Sequence, residues 1–332
     1  MSINEDRVKG VIYGQAIGDA LGLPAEFRSA ALLATYYGPM EPSDYKAVNR
    51  AASAWKAGEV SDDTEQALCL LDAFLADGDL QPVTMAGNFL KWAETNGRGM
   101  GNHTWKVLGS PLYLLDPLKV SEAVWEATNR QVAPNGGVMR TSYVGVLKPG
   151  DMDWTEEQAK VACQVTHYDP RCVAGTVALS CAIAKLVTGG TITEAVQEGI
   201  KRGHKYHPDT EKYALMSLEG LDLDEGMGDP NYGKGTGKRP PIGYTWKCMG
   251  AGFWALRELD SMQDHDGFNT DYFQDVLTQV IRAGGDCDTN GAVAGACLGA
   301  FNGLSGIPEH LITGLYDRES LDSRITKLEA MR

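Results

Sequence analysis

Apolar positions along this chain recur at helical spacing, and runs that alternate at strand spacing are scarce. Val8, Val11, Ile12 and Ile17 form one stripe near the N-terminus, and Gly10, Gly14 and Gly18 form a second at every fourth residue. In a helix, a glycine stripe lets a neighbouring helix come close, at some cost in helix propensity. A second helix is predicted from Ser61 or Asp62 to about Ala76, with Leu68, Leu71, Phe74 and Leu75 inward and Gly78 ending it. Pro82 opens a third, with Met85, Phe89, Leu90 and Ala93 inward. Thr155 and Gln158 have capping-box spacing ahead of another helix, and two apolar helices follow from about Arg171 and Thr193. Gly220 to Pro241 is dense in glycine and proline and reads as a long surface loop, after which helices resume at about Thr245, Thr270 and Asp288. With no repeat at solenoid spacing, residues 1–332 are expected to form one compact all-α domain of many helices.

Composition narrows the class. The chain has 332 residues, 43% of them hydrophobic, enough for a large core without covalent staples. The net charge of -14 gives a surface that repels nucleic acid and anionic membranes, and neither is an expected partner. Seven cysteines, with no C-x-x-C pair and several inside apolar stretches, read as reduced, buried thiols. The N-terminus is polar without signal-peptide character, and the apolar stretch Val173 to Val187 contains Ser180 and Lys185 and reads as too short to span a bilayer. A cytoplasmic location is the expectation.

Two acidic clusters carry the candidate chemistry: Ser61-Asp62-Asp63-Thr64, and Gly284-Gly285-Asp286-Cys287-Asp288-Thr289. Each stands at a predicted helix start, where Asp, Ser and Thr commonly cap the helix and acids favour its positive end. Capping needs one acceptor, whereas each cluster offers two carboxylates and hydroxyls. Gly284 and Gly285 permit a tight turn that aims several oxygens at one point. Four carboxylates match the charge of two divalent cations, and oxygen ligands suit Mg²⁺, Mn²⁺ or Ca²⁺. Gly291, Gly295 and Gly299 share one face of the helix after the second cluster, which allows that helix to sit deep among its neighbours.

Taken in order, Gly18-Asp19-Ala20-Leu21-Gly22 with Glu26, Ser61-Asp62-Asp63-Thr64, Gly101-Asn102, Asn135-Gly136-Gly137-Val138-Met139-Arg140, Thr166-His167 and Gly285-Asp286-Cys287-Asp288-Thr289 resemble the ADP-ribosylglycohydrolase family, of the dinitrogenase reductase-activating glycohydrolase type. The resemblance runs from about Lys9 to Gly303, outside the loop near Gly220 to Pro241. It implies an all-helical fold and two metal ions, Mg²⁺ or Mn²⁺. By position it makes Ser61, Asp62, Asp63, Asp286, Asp288 and Thr289 metal ligands, with Glu26 and Asp63 as catalytic carboxylates. It places Asn102, Asn135, Gly136, Gly137 and His167 around the ligand, and Tyr244 where an aromatic ring can stack on adenine. The implied partner is an ADP-ribosylated protein or another ADP-ribose conjugate.

The chain also departs from the family pattern. Cys287 stands where Thr is frequent, Ala133-Pro134 precede Asn135 where several members have more glycine, and Gly99 occupies a position where arginine-directed members often carry Asp. The expected reaction is hydrolysis at the anomeric carbon through an oxocarbenium-like transition state, most simply of ADP-ribosyl-arginine. An O-linked conjugate is the alternative that Gly99 keeps open, and a relative that binds metal and ADP-ribose without turnover is another. Helical terpenoid synthases also use aspartate-rich motifs with Mg²⁺, but Gln66 and Ala67 stand where their first motif needs a further acid. Most tryptophans read as packing, with Trp246 and Trp254 as candidates for the cleft because they lie near Tyr244.

Overall fold

The computed structural model describes residues 3–37, 55–227, 241–266, 269 and 271–332, and within them the glycine stripes from opposite ends of the chain face each other. The first helix, Glu5–Gly22, is capped by Asn4 and carries Glu5 and Asp6 in its first turn. It runs antiparallel to Cys287–Asn302, with Gly10 against Gly299, Gly14 against Gly295 and Gly18 against Gly291. A Cβ on any of these six would overlap a carbonyl of the opposite helix, so the two backbones touch along the whole seam. Both helices are buried on nearly every side.

Other helices wrap this pair. Thr245–Asp266 and Asp271–Arg282 flank Cys287–Asn302, while Pro170–Val187 packs between Met152–Gln164 and Ile192–Gly203. Pro170–Val187 has 18 residues and is long and apolar enough to cross a membrane, correcting the shorter stretch read from the sequence; 83% of it is buried inside the fold. All seven cysteines are free, and six are buried.

Among the described residues the only strands are Arg28–Ser29 and Gly284–Gly285, which pair antiparallel with Arg28 opposite Gly285. Gly284 and Gly285 have φ of +80° and +78°, a conformation that favours glycine, and a side chain on Gly285 would overlap the Leu223 carbonyl. This small pairing pulls the segment after the first helix onto the start of Cys287–Asn302.

Most predicted helix boundaries hold to within a few residues. The observed Asp62–Asp77 ends at Gly78 with φ +68°, and Pro82–Thr95 starts at its proline. The buried face of Asp62–Asp77 is Ala67, Leu70, Leu71 and Phe74, with Leu68 and Leu75 only half-buried. Thr155 and Gln158 do not start a helix: Met152–Gln164 is capped by Asp151, and the real capping box is Thr191 with Glu194 on Ile192–Gly203. The expected loop at 220–241 begins inside the short helix Leu218–Leu221 and continues as a turn to residue 227; residues 228–240 lie outside the described residues.

Candidate active site

A cavity of about 650 Å³ opens where the first helix, the start of Asp62–Asp77 and the start of Cys287–Asn302 converge. Its floor and one wall are acidic. Asp19, Asp63 and Asp288 each place a carboxylate oxygen within 4.8 Å of the others, and so do Glu26, Asp286 and Asp288. Asp288 belongs to both groups.

Asp19 is the member whose place the sequence reading missed. It projects from the buried first helix, fully enclosed, and accepts from the Ser61 amide at 3.0 and 3.1 Å and from the Thr64 amide at 3.0 Å. It therefore caps the helix Asp62–Asp77 from a different part of the chain. Ser61 is the local cap: its Oγ accepts from the Asp63 amide at 3.4 Å and donates to Asp63 Oδ2 at 3.0 Å. Asp63 Oδ1 is buried and has no hydrogen-bond partner among the described residues.

Burial and mutual repulsion make this wall unfavourable as a set of ions. Burial, then Asp19 and Asp286, pushes Asp62 up to about 8. Glu26 is pushed up to about 9 by burial, then by Asp286, Asp62 and Asp19. Burial raises Asp19 to about 6 despite its amide donors. Asp63 and Asp288 stand well above the usual carboxylate range for the same reasons. Burial also raises Asp286, and the Asn135 side-chain amide, donating to its Oδ2 at 2.7 Å, partly offsets the rise. An oxygen-only donor set with an orphaned buried carboxylate oxygen fits a hard divalent cation.

A second part of the lining carries two histidines. His103 and His167 lie with ring centroids 4.8 Å apart. His103 Nε2 is 3.0 Å from the Thr166 carbonyl, which can only accept, so that nitrogen carries a proton. Burial lowers the pKa of both rings; at His103 it outweighs the Thr166 carbonyl, and at His167 it is joined by His103 and Arg140. Gly136 is required here: a Cβ would come within 2.8 Å of His167 Cε1 and Nε2. Tyr244 also lines the cavity. Its segment is held by an isolated bridge to Pro134, with the Asn135 amide donating to the Gly243 carbonyl and the Thr245 amide to the Ala133 carbonyl, both at 3.1 Å.

Eleven of the residues expected from the sequence line the cavity: Glu26, Asp62, Asp63, Asn102, Asn135, Gly136, His167, Tyr244, Asp286, Asp288 and Thr289. Ser61 and Gly137 do not; Gly137 instead leaves room for Cys163 Sγ and His167 Cβ. Trp246 and Trp254 are buried away from the wall, with Trp246 stacked on Tyr213 at 5.4 Å. Cys287 turns away from the acids, its Sγ 3.3 Å from the Ala25 carbonyl. Asp19 had a visible signal, being the only charged residue between Gly10 and Ala25. Phe27, half exposed at the cavity with φ +58°, and His103 had none. Gly99 also lines the cavity: it has φ +83°, and a Cβ there would overlap Asp62 Oδ1.

The family model for ADP-ribosylglycohydrolases matches residues 1–332. An ADP-ribosyl-[dinitrogen reductase] glycohydrolase of Rhodospirillum rubrum is 27% identical over 93% of this chain and 90% of its own. An ADP-ribosylarginine hydrolase of Serratia proteamaculans is 23% identical over 97% of this chain and 79% of its own. A solved structure described as an ADP-ribosylglycohydrolase-related protein complex superposes with a TM-score of 0.70 at 23% identity, covering 100% of this chain and 99% of that one.

Proposed function

Because the chain belongs to the ADP-ribosylglycohydrolase family, we propose that its cavity hydrolyses the glycosidic bond between ADP-ribose and a modified target, with ADP-ribosyl-arginine on protein as the leading substrate and two Mg²⁺ or Mn²⁺ ions held by the acidic wall. The observation that carries this reading is the pair of carboxylate triads sharing Asp288 on the cavity wall. Ser61, Asp62, Asp63, Asp286, Asp288 and Thr289 would hold the ions, with Asp19, which shares a triad with Asp63 and Asp288, available as a further ligand and fixing the Ser61 and Thr64 amides. Bound there, the ions would supply the charge that lets these acids ionise together and the Lewis acidity that favours attack at the anomeric carbon.

The remaining steps belong to the chain's own groups. The distal ribose sits against the acids, whose negative charge stabilises the oxocarbenium-like transition state. Asp63, which lines the cavity and has one carboxylate oxygen without a hydrogen-bond partner among the described residues, takes the proton of the attacking water. Glu26, beside the half-exposed Phe27, passes a proton to the departing group. Asn102, Asn135, Gly136 and His167 line the path for the phosphates and proximal ribose, and Tyr244 offers its ring to adenine.

A second reading is favoured by Gly99. With no room for a side chain above Asp62, the leaving-group side lacks an acid at this position, which suits a hydroxyl-linked conjugate better than a guanidinium. Peptides carrying arginine-linked or serine-linked ADP-ribose, incubated with and without Mg²⁺ or Mn²⁺, decide both points when free ADP-ribose is read by mass spectrometry. Metal-dependent release from the arginine peptide is the expected result, and preferential release from the serine peptide establishes the second reading. Binding of ADP-ribose with no release from either peptide would overturn catalysis.

A further inference from the structure

Arg140 takes no part in the chemistry above, yet it joins the two walls. Its guanidinium is 0% exposed and makes no ion pair among the described residues. One face lies over the Phe89 ring, 4.4 Å from its centroid. Nη1 donates to Gln66 Oε1 at 2.7 Å, and Gln66 Nε2 donates to Asp62 Oδ2 at 3.1 Å. On the other side Nη2 donates to Thr166 Oγ1 at 2.6 Å and to the Ala162 carbonyl at 3.1 Å. Thr166 Oγ1 in turn lies 2.7 Å from His167 Nδ1.

A guanidinium has donors and no acceptor, so every neighbour it binds must accept from it. Gln66 therefore has to turn its oxygen toward Arg140, which leaves its NH₂ for the Asp62 carboxylate. Thr166 is buried and accepts from Arg140, and among the described residues the only other hydrogen-bond partner of its hydroxyl is His167 Nδ1, so the hydroxyl proton goes there rather than being left unpaired. That nitrogen is then unprotonated, and the proton of the neutral ring is on Nε2, at the edge beside Gly136 on the cavity wall.

We propose that Arg140 is a positioning residue that sets hydrogen-bond direction on both walls at once, presenting an N–H to Asp62 through Gln66 and holding His167 as the Nε2–H tautomer through Thr166. His167 then faces the cavity only as a donor, and the ligand group that fits it is an oxygen acceptor such as a phosphate oxygen. That last assignment rests on the ADP-ribose reading, whereas the tautomer does not.

The test is long-range ¹H–¹⁵N correlation NMR of the full-length protein labelled with ¹⁵N-histidine, without substrate, with the His167 signals assigned by their loss in His167→Gln. The expected spectrum shows protonated Nε2 and unprotonated Nδ1 at His167. Thr166→Val, close in shape, should shift or mix the tautomers and weaken ADP-ribose binding about tenfold by calorimetry, roughly the loss of one oriented hydrogen bond; Thr166→Ser should restore both. A proton on Nδ1 in the unmodified protein overturns the proposal even where Thr166→Val fails to fold, and so does an unchanged tautomer in Thr166→Val. The expected tautomers with no ADP-ribose binding support the relay and overturn the ligand reading alone.

Discussion

The two walls of the cavity solve opposite electrostatic problems. The acidic wall concentrates carboxylates that burial and proximity push toward protonation, and no lysine or arginine forms an ion pair with Asp19, Asp62, Asp63, Asp286 or Asp288 among the described residues. Burial holds the two histidine rings toward their neutral form, and both bond to Thr166, whose hydroxyl accepts from the Arg140 guanidinium. The first wall is complete only with an added counter-charge. The second is complete as folded, and its value lies in pre-set donor directions. A cavity built from both halves suits a ligand that brings oxygen atoms to each.

The largest expected effect comes from breaking the acidic wall at the carboxylate common to both triads. Asp288→Asn should lower turnover by about 10³-fold, the scale seen when a preorganised electrostatic group is removed. The same change should raise the melting temperature in chelator, because it removes a buried acid that its neighbours repel. Turnover assays and thermal melts with and without chelator check the pair, and a fully active Asp288→Asn would remove this wall from the chemistry.

The next effect is on stability against pH. The buried acids have folded pKa values above their unfolded ones, with Asp62 near 8 and Glu26 near 9. The folded state therefore binds more protons than the unfolded state once pH exceeds the ordinary carboxylate range. Stability is fully present below that range and is lost as pH rises through about 8 to 9. Thermal melts in chelator should show this decline, and saturating Mn²⁺ should flatten it. At a hundredfold excess over Kd the ion should add about 2.7 kcal/mol. A flat profile in chelator would show that the carboxylates already have counter-charge within the protein.

A smaller effect separates contact from composition in the glycine-rich segment over Asp62. Gly99→Ala meets both a positive φ and the Asp62 carboxylate, whereas Gly101→Ala meets nothing within 4 Å at φ -66°. Calorimetric Mn²⁺ affinity is expected to fall about tenfold in Gly99→Ala, with strain of about 1 to 3 kcal/mol at stake, and to stay unchanged in Gly101→Ala. Equal affinity in both would mean that Gly99 does not set the position of Asp62. The Thr166→Val comparison, of similar size, acts on the histidine wall alone.

The sequence by itself determined the helical class, the starts at Asp62 and Pro82, and the two acidic clusters, because caps, proline and apolar period act within a few residues of one another. It also displayed both glycine stripes, although nothing local says that Gly14 meets Gly295. The tertiary structure decided that pairing, and with it the depth at which Asp19 reaches the Ser61 and Thr64 amides. It also decided the histidine wall, where His103, Gly136, Thr166 and His167 come together from segments without a common period. The seam depends on backbone contact between distant helices, and the relay through Arg140 on donors and acceptors meeting across the core. Neither property belongs to any single stretch of chain, so only the folded arrangement expresses it.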